Sequence, residues 1–304
     1  MKRVIFTDLA ADLTLEERVK IGLWPDIYVQ EITINGEPTE VPMEQADKFY
    51  DKLDAGDITP GNIKTAATGT DGFEKIIKDI IATYPDGAEI VYAGISPEMS
   101  SGTTLNARIA MNNFSEAYPP SRYQFKIVDT GSISNGLATY LQYLAAYDGD
   151  DIEAYAADLR EHIVHLFTIK DLSFAAKSGR FSLLERIAMI LSSALKMSVW
   201  MYFPNDGKLL PDSRPRRGDK ILSEWADYYV EHAADDNRFI RIGYGSNAVM
   251  PRVEKFIKLL TNRGVSEDMI QLVHVGPIIG AHTGPTVLSF FFKERDSEWR
   301  HAKK

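Results

Sequence analysis

Residues 89–110 read EIVYAGISPEMSSGTTLNARIA, and this stretch indicates how the whole chain folds. Ile90–Ile95 is a short apolar run that predicts a buried parallel strand, and Pro97 then interrupts regular structure. Hydroxyl side chains crowd the start of the next helix, at Ser100–Thr104, although only one of them can be its N-cap. The others lie where free N–H groups and the helix dipole favour an anion. We therefore expect an acidic ligand group to dock at this turn.

The composition argues against several classes of function. The chain has 304 residues, with 34 lysines and arginines against 43 acidic residues. The resulting net charge of −9 argues against nucleic acid and anionic membranes as main partners. There is no cysteine, which excludes disulfides, thiolate catalysis and cysteine-ligated metals. The histidines show no ligand spacing, so we expect no metal site.

The distribution of apolar residues gives an expectation about location. No apolar run approaches about 18 residues, so we expect no membrane span. The apolar run of the N-terminus, MKRVIFTD, is too short for a signal peptide, and this segment predicts a first strand instead. The absence of cysteine fits a reducing compartment, and we expect a cytoplasmic protein.

Strand and helix patterns alternate through the first half of the chain. This alternation predicts an α/β fold whose N-terminal domain, residues 1–164, is a parallel sheet with helices on both faces. In such sheets ligands bind beyond the carboxyl ends of the strands. Asp150 with Glu153 predicts a capping box for the helix Asp151–His162. Polar segments are expected at the ligand-binding edge: Asp8, Thr65–Thr70, Ser96–Ser101 and Asp129–Ser132.

The second half, residues 165–304, predicts a second α/β domain with a mixed sheet and helices. The turn Asn205–Gly207 is a hairpin signal, which introduces antiparallel pairing. Phe181–Lys196 predicts a helix with a wide apolar face. A strand–helix–strand unit follows from Phe239 to Val275, and Gly276–Pro285 predicts a stiff loop that carries His282.

Two motifs suggest alternative functions. Gly243–Ala248 matches the dinucleotide pattern G-x-G-x-x-A, but the next strand ends without the acidic residue that the pattern needs, so a tight turn is favoured. Ser101 and His282 could form the nucleophile and base of a hydrolase of lipid or acyl esters. The chain has no G-x-S-x-G elbow, so that reading stays an alternative.

Several stretches together resemble the DegV family, which includes the lipid-carrying subunit of bacterial fatty acid kinase. The resemblance covers almost the whole chain, and its motifs occur in the family's order. TDLAADL at 7–13 is similar to the family's T-D-S-x-A-D-L, Thr65 stands where T-S-Q-P begins, and Ser101–Thr103 is its S-G-T. Further along, Val128–Ser134 is similar to V-D-S-x-x-x-S, Lys177–Arg180 to K-G-G-R, and Gly276–Pro285 to G-P-V-I-G-T-H-T-G-P.

The resemblance implies a non-catalytic protein that binds a long-chain fatty acid between two domains and needs no cofactor. It implies that an ATP-dependent kinase subunit phosphorylates the bound carboxylate to an acyl phosphate. The sequence departs from the family pattern at Ala66–Thr68 and at Lys196–Val199. The implied carboxylate site comprises Thr65, Ser101, Thr103, Arg180 and His282. The acyl chain would meet the apolar face of the helix predicted from Phe181, at Leu184, Ile187, Ala188 and Leu191.

Overall fold

The computed structural model describes residues 1–27, 31–177, 197–202, 210–211 and 216–296. Its strands are β1 (Lys2–Phe6), β2 (Glu31–Ile34), β3 (Glu37–Glu40), β4 (Ile63–Thr65), β5 (Ala88–Ala93), β6 (Tyr123–Val128), β7 (Ile163–Ile169), β8 (Met197–Tyr202), β9 (Leu210–Pro211), β10 (Arg216–Arg217), β11 (Ile240–Tyr244), β12 (Ile270–His274) and β13 (Leu288–Lys293). Its helices are α1 (Leu15–Lys20), α2 (Ala46–Asp54), α3 (Thr70–Thr83), α4 (Ser101–Ala117), α5 (Ser134–Ala145), α6 (Ile152–His162), α7 (Ser173–Lys177), α8 (Lys220–His232), α9 (Met250–Thr261) and α10 (Pro277–Thr283).

Strands β1, β5 and β6 form the predicted parallel sheet, with β5 at its centre. Successive side chains of a strand point to opposite faces of a sheet. Tyr92 of β5 accordingly packs with α3 and α4 on one face, while Val91 packs with α5 and α6 on the other. Helices therefore cover both faces, as the alternating pattern predicts.

The remaining strands of the first half form a separate sheet, in the order β3-β2-β4 and fully antiparallel. The alternation of strand and helix suggested one parallel sheet, and for these strands that prediction is wrong. Asn35 and Gly36 form the turn between β2 and β3 with φ angles of 55° and 88°. A two-residue turn of this kind joins only antiparallel neighbours.

The third sheet, formed by the strands of the second half of the chain, is mixed, as predicted. Its order is β10-β8-β7-β13-β11-β12, with β9 beside β8. The pair β11 and β12 is parallel, which confirms the strand–helix–strand unit, and the other neighbours are antiparallel. Helices α8 and α9 cover one face, where Trp225 and Phe256 pack on Phe290 with ring centroids 6.3 and 4.9 Å away.

Helix α5 lies between the parallel sheet and the mixed sheet. It contacts β7, β11 and β13 of the mixed sheet and shares a core cluster with Val91 of the parallel sheet. Nearly all of its residues are buried, as expected for a helix without a polar face. Gly136 permits this position, because a Cβ there would overlap with the imidazole of His165.

Two local predictions are corrected. Gly276–Pro285 is not a loop, because Pro277–Thr283 forms α10, with Gly276 as its N-cap and a φ of 72° at Gly284. Proline is tolerated in a first helical turn and glycine readily ends a helix, so this pattern is a helix signal. The cap of α6 is Asp151, whose side chain accepts from the N–H of Ala154, rather than Asp150.

Other predictions remain open. The predicted helix from Phe181 and the hairpin turn at Asn205–Gly207 lie outside the described residues. The division into domains at residue 164 stays a prediction, although β7, which begins at Ile163, belongs to the mixed sheet. In the described part of the chain, no helix combines the length and apolar character needed to cross a membrane.

A buried polar cluster joins the parallel sheet to the mixed sheet. Asp12 follows β1, and its carboxylate accepts a hydrogen bond from the hydroxyl of Ser134 at the start of α5. Both residues have positive φ, 51° at Asp12 and 57° at Ser134, which is uncommon outside glycine. Burial raises the pKa of Asp12 to about 7, whereas the Ser134 hydroxyl and the N–H of Gly276 act to lower it.

This pKa predicts how stability depends on pH. Between pH 4 and 7 the folded protein keeps a proton on Asp12 that the unfolded chain has lost, so the free energy of unfolding falls as pH rises. At about 1.4 kcal/mol per pKa unit the contribution reaches at most about 4 kcal/mol. Because an asparagine side chain cannot titrate, the stability of Asp12→Asn relative to the wild type should rise over this range. Urea unfolding at pH 4, 5.5 and 7 measures the difference, and parallel curves for the two proteins would contradict the prediction.

Candidate ligand-binding site

The start of α4 is the first component of the candidate site. Ser100 is the N-cap, but its side chain does not accept a hydrogen bond from the helix. Its hydroxyl lies 2.8 Å from the hydroxyl of Thr103, which is buried. The N–H groups of the first turn lack intrahelical acceptors, as at any helix start. Hydroxyl and N–H donors therefore converge here.

Thr65 and His282 form the second component. Thr65 is the last residue of β4, and its hydroxyl lies 2.9 Å from Nε2 of His282 in α10. Both side chains are half-buried. The pair thus joins the small antiparallel sheet to the helix that replaces the predicted loop.

Two adjacent cavities meet at this pair, since Thr65 and His282 line both. The hydroxyl cavity has a volume of about 140 Å³. Its lining includes Asp8, Ser100, Thr103 and Ile279 besides the shared pair. The Phe174 cavity has a volume of about 250 Å³, and its lining includes Pro60, Ile63, Phe174 and Lys177. A compartment lined by several hydroxyl groups therefore opens beside one that combines apolar walls with two lysines, Lys64 and Lys177.

Asp8 is the buried acid of the hydroxyl cavity. One of its carboxylate oxygens accepts from the Tyr92 hydroxyl at 2.6 Å and the Ile95 N–H at 2.9 Å, and the other accepts from the Ala10 N–H at 2.9 Å. Burial raises the pKa of Asp8, while these three hydrogen bonds act to lower it. The carboxylate therefore ties the end of β1 to the segment after β5, and its oxygens already have protein donors.

The structure brings together Thr65, Thr103 and His282 of the predicted carboxylate site. Ser101 is exposed at the first residue of α4 and is not among the described residues that line the cavity, whereas its neighbour Ser100 is. Five predicted residues lie outside the described part of the chain: Arg180, Leu184, Ile187, Ala188 and Leu191.

Sequence reasoning missed several residues that line the cavities. Ser100 was visible in the hydroxyl-rich turn, but the S-G-T resemblance drew attention to Ser101. For Asp8 the sequence predicts only a position at the ligand-binding edge, although an acidic residue shortly after a buried strand is a signal for a buried acceptor. Phe174 gave no signal, because it becomes a cavity wall only when α7 packs against α10.

Histidine contacts bear on the hydrolase alternative. His282 contacts the hydroxyl of Thr65, and no contact between His282 and Ser101 is seen in the described structure. A different serine–histidine pair exists, in which the Ser132 hydroxyl lies 2.5 Å from Nε2 of His165. Both side chains are buried in the core, so no substrate can reach them. This second pair is a structural contact between the segment before α5 and β7.

The glycines of the dinucleotide-like pattern have a packing explanation. A Cβ on Gly245 would overlap with the backbone of Pro285, and one on Gly243 would overlap with the Ser289 hydroxyl. The glycines therefore allow β11 to approach the chain at β13, which agrees with the tight-turn interpretation. Within the described ranges, no group of three or more histidine, aspartate or glutamate side chains could hold a metal ion.

Comparison with known proteins identifies the family of this chain. The model of a family described as "Uncharacterised protein, DegV family" matches residues 2–295. The chain belongs to the DegV family. A DegV domain-containing protein of Clostridium perfringens is 26% identical over 302 residues, which cover 96% of this chain and 97% of that protein.

Solved DegV structures share the fold. A DegV family protein of Thermus thermophilus, described as fatty acid binding, aligns with a TM-score of 0.76 and 18% identity over 97% of this chain and 100% of that one. A DegV family protein of Eubacterium eligens loaded with heptadecanoic acid aligns with a TM-score of 0.77, 18% identity and the same coverage. At such identity the alignments establish the fold that surrounds the two cavities.

Proposed function

We propose that this DegV protein binds a long-chain fatty acid, with its carboxylate in the hydroxyl cavity and its chain entering the Phe174 cavity. The observation that carries the proposal is the Thr65–His282 pair, which stands where a hydroxyl-lined compartment meets one with both apolar walls and lysines. Solved relatives of the same fold that are described with fatty acids support the class of ligand.

The hydroxyl cavity suits a carboxylate because a carboxylate only accepts hydrogen bonds. Ser100, Thr103 and Thr65 offer hydroxyl donors, and the start of α4 adds its N–H groups and the positive end of its dipole. Among the described residues that line this cavity there is no lysine or arginine. Arg180 is our proposed charge partner, and Ser101 would contribute its backbone N–H rather than its hydroxyl.

The Phe174 cavity suits the beginning of an acyl chain. Phe174 and Ile63 present apolar walls, and Lys177 at the end of α7 borders the cavity directly before the segment that carries the predicted chain-lining leucines. Burying about fifteen methylenes at ~0.8 kcal/mol each would gain roughly 12 kcal/mol before ordering costs. We therefore propose that Leu184, Ile187, Ala188 and Leu191 continue the channel.

We further propose that the protein is a cytoplasmic, non-catalytic carrier that presents the carboxylate to an ATP-dependent kinase subunit. In this role the kinase transfers the phosphoryl group and the carrier supplies the positioned acyl chain. Incubation with ATP and hydroxylamine tests the division of labour, because hydroxylamine traps an acyl phosphate as a hydroxamate. Hydroxamate should form only when a kinase subunit is added, and its formation by the carrier alone would overturn this part of the proposal.

Mass spectrometry of lipid extracted from the purified protein tests the ligand directly. We expect a long-chain fatty acid in near-stoichiometric amount. Delipidated protein that fails to take up any long-chain fatty acid would overturn the proposal. Hydrolysis of a chromogenic ester that disappears in Ser101→Ala would point to the hydrolase instead.

The two adjacent serines provide a matched pair of variants. Ser100→Ala removes a hydroxyl that lines the cavity and should weaken fatty-acid affinity by about 1–3 kcal/mol, the range for a hydrogen bond to a charged group. Ser101→Ala removes an exposed hydroxyl one residue away and should change affinity by less than about 0.5 kcal/mol. Titration with a fluorescent fatty acid measures both. A larger loss in Ser101→Ala would show that the carboxylate lies on the outer side of the turn.

A further inference from the structure

The segment directly before α10 is held by residues that are not among those lining the two cavities. Asn135, directly after Ser134, donates from its side chain to the carbonyl of His274 at 2.9 Å. The Asp12 carboxylate lies against Gly276, the N-cap of α10, and a Cβ on that glycine would overlap with the carboxylate oxygen. Two neighbouring backbone positions before α10 are therefore fixed by side chains from the parallel-sheet half of the molecule.

The same three side chains contact one another. The Ser134 hydroxyl and the Asn135 amide both donate to one oxygen of Asp12, the amide at 3.4 Å. The carbonyl oxygen of the Asn135 side chain accepts from the buried guanidinium of Arg241 at 3.0 Å, and Arg241 reaches Glu17 at 3.1 Å. The clamp, defined as Asp12, Ser134 and Asn135, thus belongs to a buried network.

Backbone strain marks the clamp as a constrained feature. Among the described residues, Asp12 and Ser134 are two of the three non-glycine residues with positive φ, and they are hydrogen-bonded to each other. Such conformations are energetically unfavourable and persist where the surroundings enforce them. The third residue, Asn35, lies in an ordinary hairpin turn, where this conformation needs no further explanation.

Helix α10 transmits the constraint to the ligand site. It is short, and the N–H of Gly280 donates to the carbonyl of Gly276 at 2.8 Å, so the N-cap and the rest of the helix move together. Ile278, Ile279 and His282 of this helix line the hydroxyl cavity. Ser100 and Thr103, which line the same cavity, belong to the parallel-sheet half.

We propose that Asp12, Ser134 and Asn135 are positioning residues that set His282 against the hydroxyls of α4, and thereby give the site its preference for a carboxylate headgroup. This inference rests on the proposed fatty-acid function. The clamp residues are not among those that line the cavities, and they act through α10. Its loss should therefore affect recognition of the headgroup more than burial of the acyl chain.

Asp12→Asn is the sharpest change, because asparagine keeps the shape and accepts a positive φ. At pH 8, where the Asp12 carboxylate of the wild type is ionised, the asparagine amide offers only one acceptor oxygen, so its NH₂ group faces either the Ser134 hydroxyl or the backbone of Gly276. Ser134→Gly is the companion variant, because it removes the hydroxyl while glycine adopts the positive φ without strain. Asp86→Asn, at an exposed turn before β5, is the matched control.

The experiment compares affinities for palmitic acid and for the alcohol of the same chain length. We expect the wild type and Asp86→Asn to prefer the acid, and each clamp variant to lose about fivefold or more of that preference with its alcohol affinity within about twofold of wild type. Equal losses for acid and alcohol, or an unchanged preference in both variants, would overturn the inference. A wild type that binds neither lipid would instead overturn the proposed function.

Discussion

Replacing Asp8 by alanine should lower the free energy of unfolding by about 3–5 kcal/mol, among the largest effects expected for a single substitution. The carboxylate accepts from Tyr92, Ile95 and Ala10, and it is buried. Alanine removes all three acceptors at once. The three donors then lose their acceptors at a buried position, and each buried unpaired donor costs about 1–3 kcal/mol.

A substitution of Tyr92, one of the three donors to Asp8, distinguishes the loss of hydrogen-bond acceptors from general disruption of the core. Tyr92→Phe removes one of the three donors together with its need for an acceptor, so we expect a loss of only about 0.5–1.5 kcal/mol. Urea unfolding of both variants, followed by far-UV circular dichroism, gives the two values. A loss in Asp8→Ala no greater than that in Tyr92→Phe would show that the backbone N–H groups of Ile95 and Ala10 find other partners.

The fatty-acid affinity of Asp8→Ala should fall as well. The carboxylate holds Ile95, which lines the hydroxyl cavity, and the Ala10 backbone, which lines it too. Removing it also relieves the electrostatic repulsion of a bound carboxylate, so the two effects oppose each other. Affinity measured under conditions where the variant is fully folded distinguishes them, and tighter binding would mean that repulsion by Asp8 dominates.

Local sequence patterns predicted most of the helices and strands correctly. The apolar run at Ile90–Ile95 corresponds to β5, and the hydroxyl-rich turn after it starts α4. What such patterns leave open is which elements become neighbours. The segments at β2, β3 and β4 read as strands, yet their separate antiparallel sheet depends on the turn at Asn35 and on pairing with β4, some thirty residues later.

The candidate site shows the same division between local and distant information. Hydroxyls at a helix start predicted a polar turn, but the first helical residue decides whether Ser100 or Ser101 faces inward, and helix boundaries are uncertain by one or two residues. The contact between Thr65 and His282 joins residues 217 positions apart. Only the family resemblance suggested that these two residues meet, because no local pattern connects them.

Gly280 offers the second large effect, this time on binding. A Cβ at this residue would stand 2.6 Å from the Tyr50 hydroxyl oxygen and 2.9 Å from the ring of Phe49, closer than real Cβ contacts allow. Gly280→Ala should therefore displace α10, cost about 1–3 kcal/mol of stability, and weaken fatty-acid binding about tenfold or more because His282 and Ile279 move with the helix.

The hydroxyl of Tyr50 makes this prediction testable by rescue. It is buried and has no hydrogen-bond partner in the described structure, so Tyr50→Phe alone should be neutral or slightly stabilising. In the double variant the added methyl group occupies space that the hydroxyl has vacated. Stability and affinity should recover in part, with Phe49 limiting the recovery.

Gly61→Ala, where a Cβ meets its nearest neighbour at an ordinary 3.5 Å, is the control and should change stability little. Strictly additive effects of Gly280→Ala and Tyr50→Phe would show that the close approach of α2 does not determine where α10 lies.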